Sequence, residues 1–340
     1  MKWIPRRGEL RPGRARWRVS AVLLAATALV AAGCGGLSGS GAPAASAGSL
    51  SASGINLSGQ TYTVGGKNFD EQLLLCKMQI AAIQSVGGQA EDRCNIPGSA
   101  AARTAILSGD IDMYWSYTGT GWVTDLQQSP PIQDSQAQYI AVRDMDLQRN
   151  NIVWTEPTPF NNTYAIATTQ AFAQQNNLRT TTDFANFVNS GNPDATLCVE
   201  SEFAVRPDGL PGLRQTYGIT APLASPPQVV TLDTGAIYQA TANGNPCKFG
   251  EVFTTDGRIP GLRLVSLEDD RNYFPKYNAS NNIRRDVVDR NPQIVQLSNE
   301  IARRLDFDTE LRLTGQISSE GQDPDLVARN WLKSQGLIGQ

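Results

Sequence analysis

Beyond residue 60 the sequence alternates short β-type runs with helical ones, and this alternation restricts its fold more than any other feature. Residues 61–65 alternate in character and run into Gly65-Gly66, which reads as a strand entering a tight turn. Asp70 is placed to cap a helix over 71–86, with Leu74, Met78, Ala81 and Ala82 at helical spacing, and Gly87-Gly88 ends it. Pro97-Gly98 precedes a short helix over 100–107, Gly109 stops it, and 111–114 reads as a strand. The same style continues with strands over 164–167 and 195–199, and helices over 181–190 (Thr182 near the cap), 212–217 and 235–242. A strand ends at 252–254, just before the turn signal Asp256-Gly257. From Pro292 the chain reads mostly as helix, with Ile294, Leu297, Ile301 and Leu305 on one stripe and a last helix over 327–332. Strands alternating with helices of this length predict an α/β fold. There is no internal sequence repeat.

The first sixty residues have a different character. Arg6, Arg7, Arg11, Arg14, Arg16 and Arg18 crowd the start, an apolar run covers 19–32, and Gly33-Cys34 follows. A basic segment, an apolar stretch of this length and small residues at its end form a secretory signal, too short to span a membrane comfortably. The Ala-Ala-Gly-Cys ending resembles the lipobox of bacterial lipoproteins, in which the cysteine takes a diacylglyceryl group and becomes the new N-terminus. Ala31 stands where that pattern more often has Leu. The expectation is a signal peptide over 1–33, lipidation of Cys34, and a flexible tether over 34–59, because 35–59 is almost entirely Gly, Ser and Ala. An exported protein held on the outer side of the cytoplasmic membrane by its lipid anchor follows from this.

Hydrophobic residues make up 40% of the 340-residue chain and charged residues 18%, the balance of a soluble globular protein long enough for two lobes. The net charge of −3 and the lack of a basic stripe in the mature region give no reason to expect a nucleic-acid partner. Four cysteines remain after processing: Cys76, Cys94, Cys198 and Cys247. An even count in an exported chain suggests two disulfides, with three pairings open and buried free thiols as the alternative. No close Cys-x-x-Cys pair exists, so no metal site is expected.

The chain has no histidine at all. That excludes Ser-His-Asp and Cys-His nucleophile systems and histidine-containing zinc sites. Gly65-Gly66-Lys67 lacks the spacing and the following Ser/Thr of a phosphate loop. Carboxylate-based catalysis through Asp110, Asp112 or Glu202 remains as the enzymatic alternative, and binding without catalysis or cofactor is the expectation. Aromatic residues instead gather in local settings with turn and polar residues: Trp115-Ser-Tyr117-Thr-Gly-Thr120, Asn161-Asn-Thr-Tyr164, Val252-Phe253 and Tyr273-Phe-Pro-Lys-Tyr277. A quaternary ammonium has no N–H to donate, so aromatic faces are the groups that can hold it, at about 0.5–2 kcal/mol each.

Six phrases occur in order: Val64-Gly-Gly-Lys67-Asn-Phe-Asp-Glu-Gln72, Gly109-Asp-Ile-Asp-Met-Tyr-Trp-Ser-Tyr117-Thr-Gly-Thr120, Asn161-Asn-Thr-Tyr164-Ala, Arg206-Pro-Asp-Gly209, Thr255-Asp-Gly-Arg258 and Leu267-Glu-Asp-Asp270. Together they resemble the glycine betaine/choline-type substrate-binding proteins of osmoprotectant ABC importers, over about 61–338. The resemblance implies a two-lobed, type II periplasmic-binding fold with the ligand cleft between the lobes: lobe one from 60–163 and 267–340, lobe two from 164–266. The pairs Cys76–Cys94 and Cys198–Cys247 would then each lie within one lobe. It implies a cage of Tyr117 and Tyr277 from lobe one with Tyr164 and Phe253 from lobe two, completed as the lobes close. It also implies polar contacts from Lys67, Gln72 and Thr120 in lobe one and from Arg206 and Asn162 in lobe two. Arg suits a betaine carboxylate because its planar fork donates two bonds. Glu202 either orients Arg206 or is surface charge. The sequence departs from the family pattern at Phe253, where Tyr is usual, at Trp115-Ser116 for Pro-Glu, at Asp70 for Thr and at Asn278 for Asp. The ligand class is therefore a small quaternary-ammonium osmolyte (glycine betaine, proline betaine or choline), with carnitine or a betainised amino acid as the alternative. A monomer feeding separate permease and ATPase subunits is expected.

Overall fold

The computed structural model describes residues 48–221 and 229–340. The expected leader and Cys34 lie outside them. Among the described residues ten strands form two five-stranded sheets. The first contains β1 (Thr61–Lys67), β2 (Gln89–Ile96), β3 (Met113–Tyr117), β4 (Ile152–Trp154) and β10 (Ala279–Arg284), in the order β2-β1-β3-β10-β4. The second contains β5 (Tyr164–Thr169), β6 (Leu197–Val199), β7 (Val229–Thr231), β8 (Phe249–Phe253) and β9 (Leu264–Ser266), in the order β7-β6-β8-β5-β9.

The two sheets share one design. In each, three strands run parallel, and one strand is inserted antiparallel to both of its neighbours: β10 between β3 and β4, β5 between β8 and β9. Those inserted strands are the first ones reached after each passage of the chain between sheets. The two passages, 155–163 and 267–278, lie side by side, tied by Asn162 N donating to Tyr277 O at 3.1 Å and by a bridge between Asn161 and Asn278. Helices cover the sheets, giving two lobes joined by a double crossing.

Several boundaries differ from the sequence reading. The helix Asp70–Ser85 begins at Asp70, whose side chain makes no cap bond and pairs instead with Arg258. Asp70 and Glu71 still favour its positive N-terminal end. Thr180, not Thr182, caps the helix Thr181–Asn189, in a reciprocal capping box with Asp183, while the Thr182 hydroxyl donates to Asp270. The strand expected at 111–114 runs over Met113–Tyr117, because β10 supplies backbone partners as far as Tyr117. β10 itself reads as Ala-Ser-Asn-Asn, a poor strand by propensity. Burial makes it one: Ser280 Oγ donates to Thr155 O at 2.7 Å and Asn281 Nδ2 to Ser298 Oγ at 3.0 Å.

Residues 48–59, expected as the last part of a tether, are instead built into the fold. Ser49–Ala52 forms a helical turn, Leu50, Ile55 and Leu57 are buried, and Ser49 N donates to Gly336 O. The turn at Leu50 thus docks on the C-terminal end of the chain and Leu57 on the end of the Asp70–Ser85 helix, where its N donates to Val86 O, contacts that local composition does not reveal. The cysteines pair as Cys76–Cys94, joining the Asp70–Ser85 helix to β2, and Cys198–Cys247, joining β6 to the entry of β8.

Candidate functional site

Lys67, Tyr117, Thr120, Asn162, Tyr164, Arg206, Phe253 and Tyr277 all line one cavity of about 440 Å³ between the lobes. Strand ends and crossings put them there. Lys67 closes β1 and Tyr117 closes β3; Tyr164 opens β5 and is the cross-strand partner of Phe253 at the end of β8. Asn162 and Tyr277 come from the two crossings. Gly119 lets the loop after Tyr117 lie against the Tyr277 ring, since a Cβ there would stand 2.7 Å from ring carbons.

The aromatic side chains form a continuous run. Tyr277 meets Tyr164 edge to face at 5.5 Å, Tyr164 meets Phe253 at 5.3 Å, and Phe253 stacks on Phe69 at 4.9 Å. Phe69 lies 6.4 Å from Tyr117 and nearly parallel to it. Phe69 is a fifth ring absent from the four expected. It stood inside the Val64–Gln72 phrase, but nothing in the sequence separates an aromatic that lines a cavity from one that packs a core.

Gln72 departs from its expected place. It is fully buried and does not line the cavity; its Nε2 donates to the Tyr117 hydroxyl at 3.0 Å and its Oε1 accepts from Lys67 N at 3.3 Å. It holds two wall residues from behind. The Asp70–Ser85 helix spends its inward face on this bracing, which puts Gln72 one layer too deep to reach a ligand.

The charged groups are strongly interlocked. Lys67 Nζ donates to Ser99 Oγ at 3.2 Å and lies over the Tyr117 ring, 4.7 Å from its centroid. Burial pushes its pKa down to about 8, against the pull of Glu202. Arg206 donates from Nε and Nη2 to the two oxygens of Asp208 at 2.8 and 2.6 Å, and from Nη1 to Glu202 Oε1 at 2.6 Å. Glu202 therefore orients Arg206. Burial alone would raise the Glu202 pKa, but Lys67, Arg206 and two bonds from Ser99 outweigh it and bring it down to about 2. Tyr277 Oη donates to Asp208 Oδ2 at 2.7 Å, so cage and arginine share one carboxylate. Glu251, on the cavity wall two residues before Phe253 on β8, is pushed up to about 8 by burial.

Contacts that cross between the lobes around the cavity include Ser99 N to Glu202 Oε2 at 2.9 Å, Arg258 Nη2 to Asp70 Oδ2 at 2.5 Å, and Thr255 Oγ1 to Glu71 Oε2 at 2.5 Å, besides the Tyr277–Asp208 bond. Chemically the site offers aromatic faces for a quaternary cation, flanked by the Lys67 ammonium and by the guanidiniums of Arg206 and Arg258, both already paired with acids. Cys76, Asp92 and Cys94 are the one metal-like grouping among the described residues, and their sulfurs are spent in the disulfide.

Residues 60–334 match the family model described as the substrate binding domain of ABC-type glycine betaine transport systems. The chain belongs to this family. The glycine-betaine-binding protein of Pseudomonas aeruginosa is 33% identical over 284 residues, covering 82% of this chain and 89% of that one. The glycine betaine-binding protein YehZ of Escherichia coli is 29% identical, covering 80% and 90%, and its apo structure superposes with a TM-score of 0.60 over 82% of this chain and 99% of that chain. A crystal structure titled as a glycine betaine/carnitine/choline ABC transporter, 23% identical, gives a TM-score of 0.65 over 81% of this chain and 98% of that chain and shares the fold. The fold is thus the two-lobed periplasmic-binding type with its cleft between lobes. Members of the family are extracytoplasmic capture components that work with a permease and an ATPase. No helix of the described residues is long and apolar enough to cross a membrane.

Proposed function

We propose that this chain captures a small quaternary-ammonium osmolyte, glycine betaine, proline betaine or choline, by closing its two lobes around the ligand's head, and that it does so without catalysis. The observation that carries the reading is the run of Tyr117, Phe69, Phe253, Tyr164 and Tyr277 around a single interlobe cavity. Several faces at about 0.5–2 kcal/mol each make a useful share of the roughly 8 kcal/mol that micromolar affinity needs. Lys67, Thr120, Asn162 and Arg206 serve the polar end, and Gln72 serves it only through Lys67 and Tyr117. The similar glycine betaine-binding proteins of Pseudomonas aeruginosa and Escherichia coli support the ligand class.

The reading extends to the whole chain. Residues 1–33 form the signal peptide, Cys34 carries the lipid that holds the protein outside the cytoplasmic membrane, and the tether ends near residue 47, where docking begins. Lobe one takes 60–163 and 267–340, lobe two takes 164–266, and the protein works as a monomer.

A longer trimethylated solute, such as carnitine or a betainised amino acid, has one observation in its favour. The cavity wall also includes Glu200, Asp233 and Glu251, polar surface that the cage and its carboxylate partners leave to a larger ligand. Calorimetry on the domain from residue 48, unfolded and refolded to strip ligand, separates the readings with glycine betaine, proline betaine, choline, carnitine and tetramethylammonium. Binding of a betaine that is lost in Tyr117→Ala supports the cage. Silence across the panel from folded protein overturns it.

A further inference from the structure

Glu71 does not line the cavity, yet it is buried directly behind the cage wall. Its Oε1 accepts from Tyr117 Oη at 2.5 Å and from Asn162 Nδ2 at 3.0 Å, and its Oε2 accepts from Thr255 Oγ1 at 2.5 Å. The three donors belong to β3 of the first lobe, to the first crossing, and to the second lobe just after β8. One carboxyl therefore touches a cage ring, the hinge and the opposite lobe.

A second buried carboxyl stands beside it. Glu310, on the helix Phe307–Ser318, is fully buried and neither oxygen has a partner. That helix packs on the Asp70–Ser85 helix and against the turn after β8, where Gly257 and Gly315 meet backbone to backbone. Two carboxyls sharing a dry site cannot both ionise easily, and the one with hydrogen-bond donors keeps the charge. Glu71 has three donors and Glu310 has none. Glu310 is thus the protonated member, and burial together with Glu71 holds its pKa well above the usual carboxylate range. The Glu71 pKa is raised by burial and by Asp256, and the bonds from Thr255, Tyr117 and Asn162 oppose that rise. Lys67 is the cation on its field. Other neighbours on the helix lie further along it: β2 presents Asp92 to Lys77, the helix Gln293–Ala302 presents Ser298 to Gln79, and the helix Pro324–Ser334 presents Arg329 to Gln84.

We infer that Glu71 is a positioning residue that, most firmly while ionised, holds the Tyr117 phenol against the cage and ties the lobes together, so that quaternary-ammonium binding weakens as Glu71 takes up a proton. The ligand half of this rests on the reading proposed above. A phenol donating to a carboxylate makes a short charge-assisted bond and leaves its ring richer in electrons, which strengthens the hold of its face on a cation. A proton on Glu71 must point at a neighbour that now donates. Asn162 Nδ2 cannot accept and Tyr117 Oη already accepts from Gln72, so Thr255 Oγ1 is the neighbour able to accept; Oε1 then meets the Tyr117 phenol as a neutral carbonyl oxygen, without the charge assistance. The bound cation in turn favours the ionised carboxylate, so binding expels the proton and affinity rises with pH until Glu71 is fully ionised.

Two measurements test this from about pH 5 to pH 9. In ligand-free protein carrying ¹³Cζ-tyrosine, the Tyr117 resonance, assigned with Tyr117→Phe, is expected to move with a single step that is absent in Glu71→Gln. By calorimetry, glycine betaine and choline are expected to bind wild type several-fold more tightly above that step than below it. Glu71→Gln keeps the shape and an acceptor but not the charge, and should bind choline, which lacks a carboxylate for Lys67 to meet, more weakly and with a flat profile across the same range. A Tyr117 resonance with no step, or an affinity profile unchanged by Glu71→Gln, overturns the inference. If neither probe bound at any pH while the step persisted, the ligand reading would fall and the Glu71–Tyr117 coupling would stand.

Discussion

Replacing Glu310 by glutamine should alter how stability depends on pH more than it alters stability itself. Glu310 is 0% exposed and both its oxygens are without partners. Its carboxyl is protonated in the fold, with a pKa raised by burial and by Glu71. In the unfolded chain the same carboxyl ionises near its ordinary value of about 4.3. The folded state therefore holds one more proton than the unfolded state over the interval between those values. The stability this group contributes is complete below about pH 4 and is lost as pH rises towards its folded pKa, at about 1.4 kcal/mol per pH unit. Glutamine has nearly the same shape and no titration, although its unpaired amide carries a penalty of about 1–3 kcal/mol at every pH. Urea unfolding of both proteins at half-unit pH steps, followed by fluorescence and circular dichroism together, reads the difference. The variant should be comparable or less stable at pH 5 and should overtake wild type as pH rises, with m unchanged. Parallel pH profiles would show that Glu310 is ionised in the fold or solvated in solution, and the buried pair would have to be abandoned.

Tyr164→Ala removes the ring that touches Phe203, Phe253, Phe274 and Tyr277, and should weaken glycine betaine or choline binding by tenfold or more in calorimetry, the equivalent of about 1.4 kcal/mol. Equal affinity would remove Tyr164 from the cage. Lys67 loses its proton near pH 8, so betaines should bind more weakly above that pH while choline, lacking a carboxylate, keeps its affinity. Identical profiles for the two ligands would take Lys67 away from the polar end. The Cys198–Cys247 bridge spans 49 residues and Cys76–Cys94 spans 18. Their paired serine variants should lose about 4 and about 3 kcal/mol of stability by loop closure, and denaturant unfolding showing the opposite order would mean native-state contacts dominate.

Much of the site was legible because the residues that build it sit at strand ends marked by turn chemistry. Lys67 follows Gly65-Gly66, Tyr117 precedes Thr-Gly-Thr120, and Phe253 lies just before Asp256-Gly257. Phe69 and Glu71 shared those phrases yet were missed. A lone phenylalanine and a glutamate in the first turn of a helix look like packing and surface charge until the opposite lobe is in place. β10 was missed for a similar reason: Asn281 and Asn282 argue against a strand, and only their burial between β3 and β4 overrides that preference.

The sequence by itself determined the α/β class, the absence of histidine chemistry and the residue types that could meet a quaternary ammonium. These follow from composition, periodicity and local phrases, which act over a few residues. The tertiary structure alone decided that Gln72 braces the wall instead of lining it, that Glu202 and Asp208 occupy Arg206, that 48–59 docks, and that Glu71 and Glu310 share one dry site. Each of those depends on elements far apart in the chain arriving at the same place, where burial, and not propensity, sets which groups must find partners and which must keep a proton.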